Sequence, residues 1–190
     1  MVYIALLRGI NVGGKNIIKM AELRRVLEEE AGLSRVQTYI QSGNVLFESG
    51  EEKSVLHKRI EQAIESAFGI SVSVILRMAS ELRSIAERCP FTEEELAKAA
   101  ESSVGESLYV SILQEELPVE QVEKLQATDF GEDKYVILGK EIYLLYSNSS
   151  RNSKLSSRLD KLGVPATVRN FKTLHKLIDL ADAISSDRCG

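Results

Sequence analysis

Tryptophan is absent from the 190 residues, proline occurs three times, and histidine and cysteine twice each. Cys89 and Cys189 lie a hundred positions apart without a CxxC, which excludes a disulfide framework and suits a reducing cytoplasm. His57 and His175 stand alone in helical segments beside Lys58 and Lys176, and no HxxxH pairs them, so no dedicated metal site and no cofactor are expected. No apolar run approaches the roughly 20 residues of a membrane helix. The apolar start Met1 to Leu7 has no charged n-region and no small-residue cleavage site, and it runs directly into Arg8, so it reads as a strand rather than a leader. With 44% hydrophobic residues and no Pro-rich bias, the composition predicts packed domains with a real core.

Periodicity predicts an α+β protein with the same order of elements twice. Val2 to Leu7 reads as a strand, and Met20 to Ala31 puts Met20, Leu23, Val26 and Leu27 on one helical face. Val36 to Ile40 and Val45 to Phe47 flank a turn at Gln41, Ser42, Gly43 and Asn44. A helix over Lys53 to Phe68, stopped at Gly69, precedes a strand at Val72 to Leu76. The second half repeats this with a strand at Leu108 to Leu113, a helix from Pro118, and a hairpin turning at Gly139-Lys140. A helix at Lys154 to Leu162, a strand at Thr167 to Arg169 and a closing helix at Leu174 to Ile184 complete it. The expected architecture is therefore two ferredoxin-like βαββαβ halves, residues 1–78 and 107–190, joined by a helical connector at 79–106. Two helical patterns in that connector break at Cys89-Pro90, and Thr92 followed by glutamates resembles a capped helix start.

The formal charge of −4 hides a segregation of signs. Met1 to Ala21 carries Arg8, Lys15 and Lys19 and no acid, and Ser147 to Lys176 carries seven cations against Asp160 alone. Glu93 to Asp133 holds twelve acids and only Lys98 and Lys124. Such segregation arises on ordinary solvated faces, and equally from an anion site, because both basic segments hold the Gly, Asn and Ser residues that expose backbone amides.

Gly9, Gly14 and Lys15 satisfy GxxxxGK, the phosphate-cradling spacing, but Asn16 replaces the hydroxyl that holds magnesium. The helix is expected to begin near Lys19 rather than at the lysine, and no strand ends in a metal-holding Asp, so a nucleotide hydrolase is disfavoured. The absence of GxGxxG gives no support to a dinucleotide site. The loop either simply turns the chain or brings amide groups to an anion, with Arg8 and Lys15 supplying charge. Ser153 reads as an N-cap beside Lys154, and Thr167, Arg169, Asn170 and Thr173 form a polar cluster in which Asn170 is a second candidate cap.

The strings Leu7-Arg-Gly-Ile-Asn-Val-Gly-Gly-Lys15, Tyr39-Ile-Gln-Ser-Gly-Asn-Val45, Ser153-Lys-Leu155 and Thr167-Val-Arg-Asn170 together resemble the bacterial family catalogued as domain of unknown function 1697. The resemblance implies two ferredoxin-like halves and brings no activity with it. It carries over only motif positions: Arg8, Asn11, Gly13, Gly14, Lys15, Gln41, Ser42, Gly43, Asn44, Lys154, Arg169 and Asn170. Phe171 stands where similar proteins often have Trp. Three functions are therefore weighed. The first is a binding protein for a phosphate-bearing ligand, either a nucleotide-like small molecule or nucleic acid. The RNA form of this reading lacks the aromatic string of RNA-binding sheets. The second is an enzyme on an anionic substrate, with Lys15 or Lys154 as electrophilic stabiliser and no identifiable general base. The third is an interaction module that offers the acidic segment 93–133 to a basic partner. No membrane association is expected.

Overall fold

Five of the six residues of β1 (Val2–Leu7) are buried, which is why its sequence is continuously apolar rather than alternating. It runs antiparallel between β3 (Asn44–Glu48) and β4 (Val74–Met78), with β2 (Ser34–Tyr39) outside β3, in the order β2-β3-β1-β4. The outer strand β2 buries only Val36 and is otherwise polar, a composition suited to an open edge. Helices α1 (Met20–Glu29) and α2 (Lys53–Phe68) pack Leu23, Leu27, Leu56 and Ile60 into one core with Tyr3, Ala5, Leu7, Val45 and Phe47. Ile4, Leu6, Leu46 and Ile75, of the opposite strand parity, are equally buried. Gly69 takes φ 65° and its amide closes α2 on the carbonyl of Glu65, as the sequence predicts.

The second half repeats this plan. Strand β5 (Leu108–Leu113) lies between β7 (Glu141–Leu145) and β8 (Ala166–Asn170), with β6 (Lys134–Leu138) outside β7, in the order β6-β7-β5-β8. Helices α5 (Val119–Gln126) and α6 (Lys154–Leu159) bury Leu125, Leu155 and Leu159 against Leu113, Ile142, Leu144 and Tyr146. The connector forms α3 (Ala79–Glu87) and α4 (Glu93–Ser102), and α4 opens on the expected capping box between Thr92 and Glu95. The last described element is α7 (Phe171–Ser186), where the Asn170 side chain accepts from the Thr173 amide at 2.8 Å and acts as the cap.

This computed structural model describes residues 1–186; Cys189 lies outside the described residues. The protein is α+β, with two four-stranded antiparallel sheets and seven α-helices among the described residues. No described helix is long and apolar enough to cross a membrane. The chain divides into two compact units, Met1–Ser84 together with the chain from Leu174 onward, and Ile85–Thr173. This division differs from the boundaries 1–78, 79–106 and 107–190 at two places. The connector belongs to the two units rather than standing apart, and the greater part of α7 joins the first unit. Arg83 of α3 pairs there with Asp182 of α7 at 2.5 Å.

Candidate functional site

In the first unit the glycine-rich loop and the hairpin turn meet at one end of the sheet. The amide of Leu7 donates to the carbonyl of Gly43 at 2.8 Å, and Asn11 Nδ2 donates to the carbonyl of Gln41 at 2.9 Å. Asn11 also donates to the carbonyl of Ile18 and accepts from its amide, so its side chain holds both ends of the loop together. Between them, Lys15 N donates to Val12 O across a two-residue turn at Gly13 and Gly14, with φ 57° and 74°. Positive φ at both central residues is the conformation that glycine supplies without strain. The loop thus doubles back on itself, and α1 begins only at Met20, in a geometry unlike a phosphate loop that leads straight into a helix.

The hairpin turn is held from within. Asn44 is fully buried and donates to the Tyr39 carbonyl and the Ser42 hydroxyl, both at 3.0 Å. Gly43 sits at φ 80°, where a Cβ would lie 2.7 Å from Ile10 Cδ1 and 2.8 Å from Leu7 Cβ. Arg8 and Lys15 are exposed and, with Lys19, form no ion pair among the described residues, while Val12 and Ile17 of the same loop are 64% and 71% exposed.

In the second unit Lys154 follows the polar stretch 146–153. Ser153 caps α6 by accepting from the amides of Leu155 and Ser156, as the sequence predicts. Lys154, Ser149 and Asn152 line a cavity of about 300 Å³ together with Ser147, Asn148 and Asp133. Asp133 is the only carboxylate among the described residues that line it. Its oxygens accept from the Ser147 amide at 2.8 Å, the Ser147 hydroxyl at 3.0 Å and the Ser153 hydroxyl at 2.6 Å. Lys154 is exposed and makes no ion pair among the described residues.

A second cavity, about 780 Å³, adjoins the first through Ser147 and Asn148, which line both. Helix α4 forms its other wall and is tied down at both ends. Near its start Glu95 accepts from Lys134 at 2.9 Å. At its finish the Ser102 and Ser103 hydroxyls donate to the carbonyls of Ser147 and Asn148 at 2.6 and 2.7 Å. The sequence does not bring these residues together because Glu95 and Lys98 of α4, Lys134 of β6 and Ser147 after β7 are far apart along the chain. The signal present in the chain was the pair of lysines, Lys98 and Lys134, within and just after the acidic segment.

Arg169 lies on the opposite side of the second sheet from Lys154. It pairs with Val110 in register, of opposite parity to the Leu113 and Tyr109 that face α5 and α6. Its guanidinium donates to the Thr167 hydroxyl at 2.6 Å and to the Val168 carbonyl at 3.0 Å, and burial pushes its pKa down to about 10. The histidines take ordinary places, with His57 beside Glu61 at 3.2 Å within α2 and His175 exposed on α7.

The family model described as Protein of unknown function (DUF1697) matches residues 1–143. The chain belongs to this family. The loop string at Leu7–Lys15 and the turn string at Tyr39–Val45 fall inside the matched residues, whereas Ser153–Leu155 and Thr167–Asn170 fall beyond them. The chain is also similar to a solved structure, a conserved bacterial protein from Streptococcus pneumoniae, at 29% identity and a TM-score of 0.70, covering 95% of this chain and 98% of the other. No curated protein matches it.

Proposed function

We propose that this protein binds a small phosphate-bearing ligand in the second unit, at Lys154. The observation that carries the reading is the make-up of the smaller cavity: an unpaired lysine, the Ser149 hydroxyl and the Asn148 and Asn152 amides as donors, and a single carboxylate among the described lining residues, already engaged by three donors. Hydroxyl and amide donors suit phosphate oxygens, and the lysine adds a point charge. Arg8 and Lys15 belong to the first unit and are exposed there. Asn11, Gly13, Gly14, Gln41, Ser42, Gly43 and Asn44 shape the loop and turn that carry them. Arg169 and Asn170 maintain the second sheet and the start of α7. The two isolated cysteines favour a reducing, cytoplasmic setting.

The test is titration calorimetry with inorganic phosphate and ribose 5-phosphate at low and high salt. Binding that weakens as salt rises and drops about tenfold in Lys154→Ala is the expected result. Affinity unchanged by Lys154→Ala removes the reading, and loss in Arg8→Ala alone moves the ligand to the first unit.

A further inference from the structure

We infer that the two adjoining cavities of the second unit are the two ends of one nucleoside monophosphate site, with the phosphate at Lys154 and the base beneath α4. The inference rests on the phosphate reading above and specifies what the phosphate is attached to.

The chain itself draws the path. Leu145 lines the larger cavity, Ser147 and Asn148 line both, and Ser149, Asn152 and Lys154 line the smaller, so one continuous segment runs from one end of the site to the other. The two ends differ in chemistry. The larger cavity has apolar walls in Leu145 and Ala99, extended by the aliphatic stems of Lys98 and Lys134. It also has carboxylates in Glu94 and Glu132 that form no ion pair among the described residues. Apolar lining with carboxylate acceptors beside it suits a heterocyclic base, whose faces are apolar and whose edge N–H groups seek acceptors. The same carboxylates repel a phosphate. The smaller cavity is less negative, with Asp133 balanced by Lys154, whereas the larger sets Glu94, Glu95 and Glu132 against Lys98 and Lys134, so the phosphate favours the smaller.

The electrostatic polarity therefore sets one direction for the ligand. A volume of about 780 Å³ for the larger cavity lies within the range of small-molecule sites, and hydrogen bonds hold α4 at both ends.

Calorimetry with AMP, ribose 5-phosphate and adenosine tests the inference on the intact chain. AMP is expected to bind about tenfold or more tightly than either fragment, and Lys154→Ala is expected to lower AMP and ribose 5-phosphate alike. Glu94→Trp, at an exposed position in the first turn of α4, narrows the larger cavity and is expected to reduce AMP to the level of ribose 5-phosphate while leaving the latter unchanged. Glu132→Ala, on a surface loop, is a second variant with the same expected direction. AMP and ribose 5-phosphate binding equally, both dependent on Lys154, overturns the inference and leaves the phosphate reading standing. Adenosine binding as tightly as AMP, indifferent to Lys154, overturns both the joint site and the phosphate reading. Absence of binding by all three and by inorganic phosphate overturns both as well.

Discussion

The two halves share strand order and helix placement yet lengthen opposite loops. In the first, the segment after β1 is long, residues 8–19, and the segment after β3 is short, 49–52. In the second, the segment after β5 is short, 114–118, and the one after β7 is long, 146–153. Because β1 and β3 are antiparallel, as are β5 and β7, the two long loops leave from opposite ends of equivalent sheets. They are also built differently. The loop of the first half spends its polar side chains on its own backbone and presents Arg8, Lys15, Val12 and Ile17 outward. The loop of the second half ties down α4 and lines two cavities. One scaffold thus holds a self-braced projection in one copy and a cavity-lining loop in the other, so the two copies differ in their loops rather than in their strand order.

The sharpest way to break this contrast is at the hairpin glycines. Gly43→Ala must strain both φ and packing against Ile10 and Leu7, and a loss of about 3 kcal/mol is expected in urea unfolding. Gly139→Ala in the equivalent turn meets nothing closer than a Glu116 oxygen at 3.9 Å and should cost about 1 kcal/mol, the conformational penalty alone. Equal losses would erase the difference in how tightly the two turns are packed.

Removal of the Asn11 side chain comes next. Asn11→Ala abolishes three hydrogen bonds to backbone and is expected to destabilise by about 2 kcal/mol, with faster amide exchange at Ile18. Unchanged exchange there would show that the loop does not depend on its internal brace. Ser153→Ala removes the cap of α6 and should cost about 1 kcal/mol, read as faster exchange at Leu155 and Ser156.

The smallest effect is electrostatic and confined to the first half. Burial would raise the Glu81 carboxyl, but the Lys53 ammonium and the Met78 amide, which both donate to it, hold it below its ordinary value. A carboxyl lowered in the folded state binds fewer protons there than in the unfolded chain, so its contribution is present above the unfolded pKa and is lost as pH falls through the folded one. Glu81→Gln should therefore flatten the acid limb of stability below about pH 4.5, followed by chemical unfolding across that range. An identical acid limb in the variant would assign the pH dependence elsewhere.

The order of elements was legible because each carries its own period. The apolar face of α2, ended by Gly69, and the turn at Gly139-Lys140 fall where the pattern puts them, and Leu108–Leu113 matches its strand throughout. Caps were legible too, at Thr92, Ser153 and Asn170, because capping is decided within three residues. What the sequence withheld was the use of each polar side chain. Asn11 and Asn44 read equally well as ligand contacts or as internal braces, and only folding determines that their donors reach the carbonyls of Gln41, Ile18 and Tyr39. The larger cavity was invisible because α4 meets Lys134 and Ser147 only through tertiary structure.

The allegiance of α7 also has a consequence for the order of events during synthesis. The second unit, Ile85–Thr173, is continuous, whereas the first unites Met1–Ser84 with the chain from Leu174. A ribosome working from the amino terminus releases every residue of the later unit before it has released the last helix of the earlier one. The half that is made first is therefore the half that is finished last, and a nascent chain halted at Thr173 would leave that first half without its closing helix.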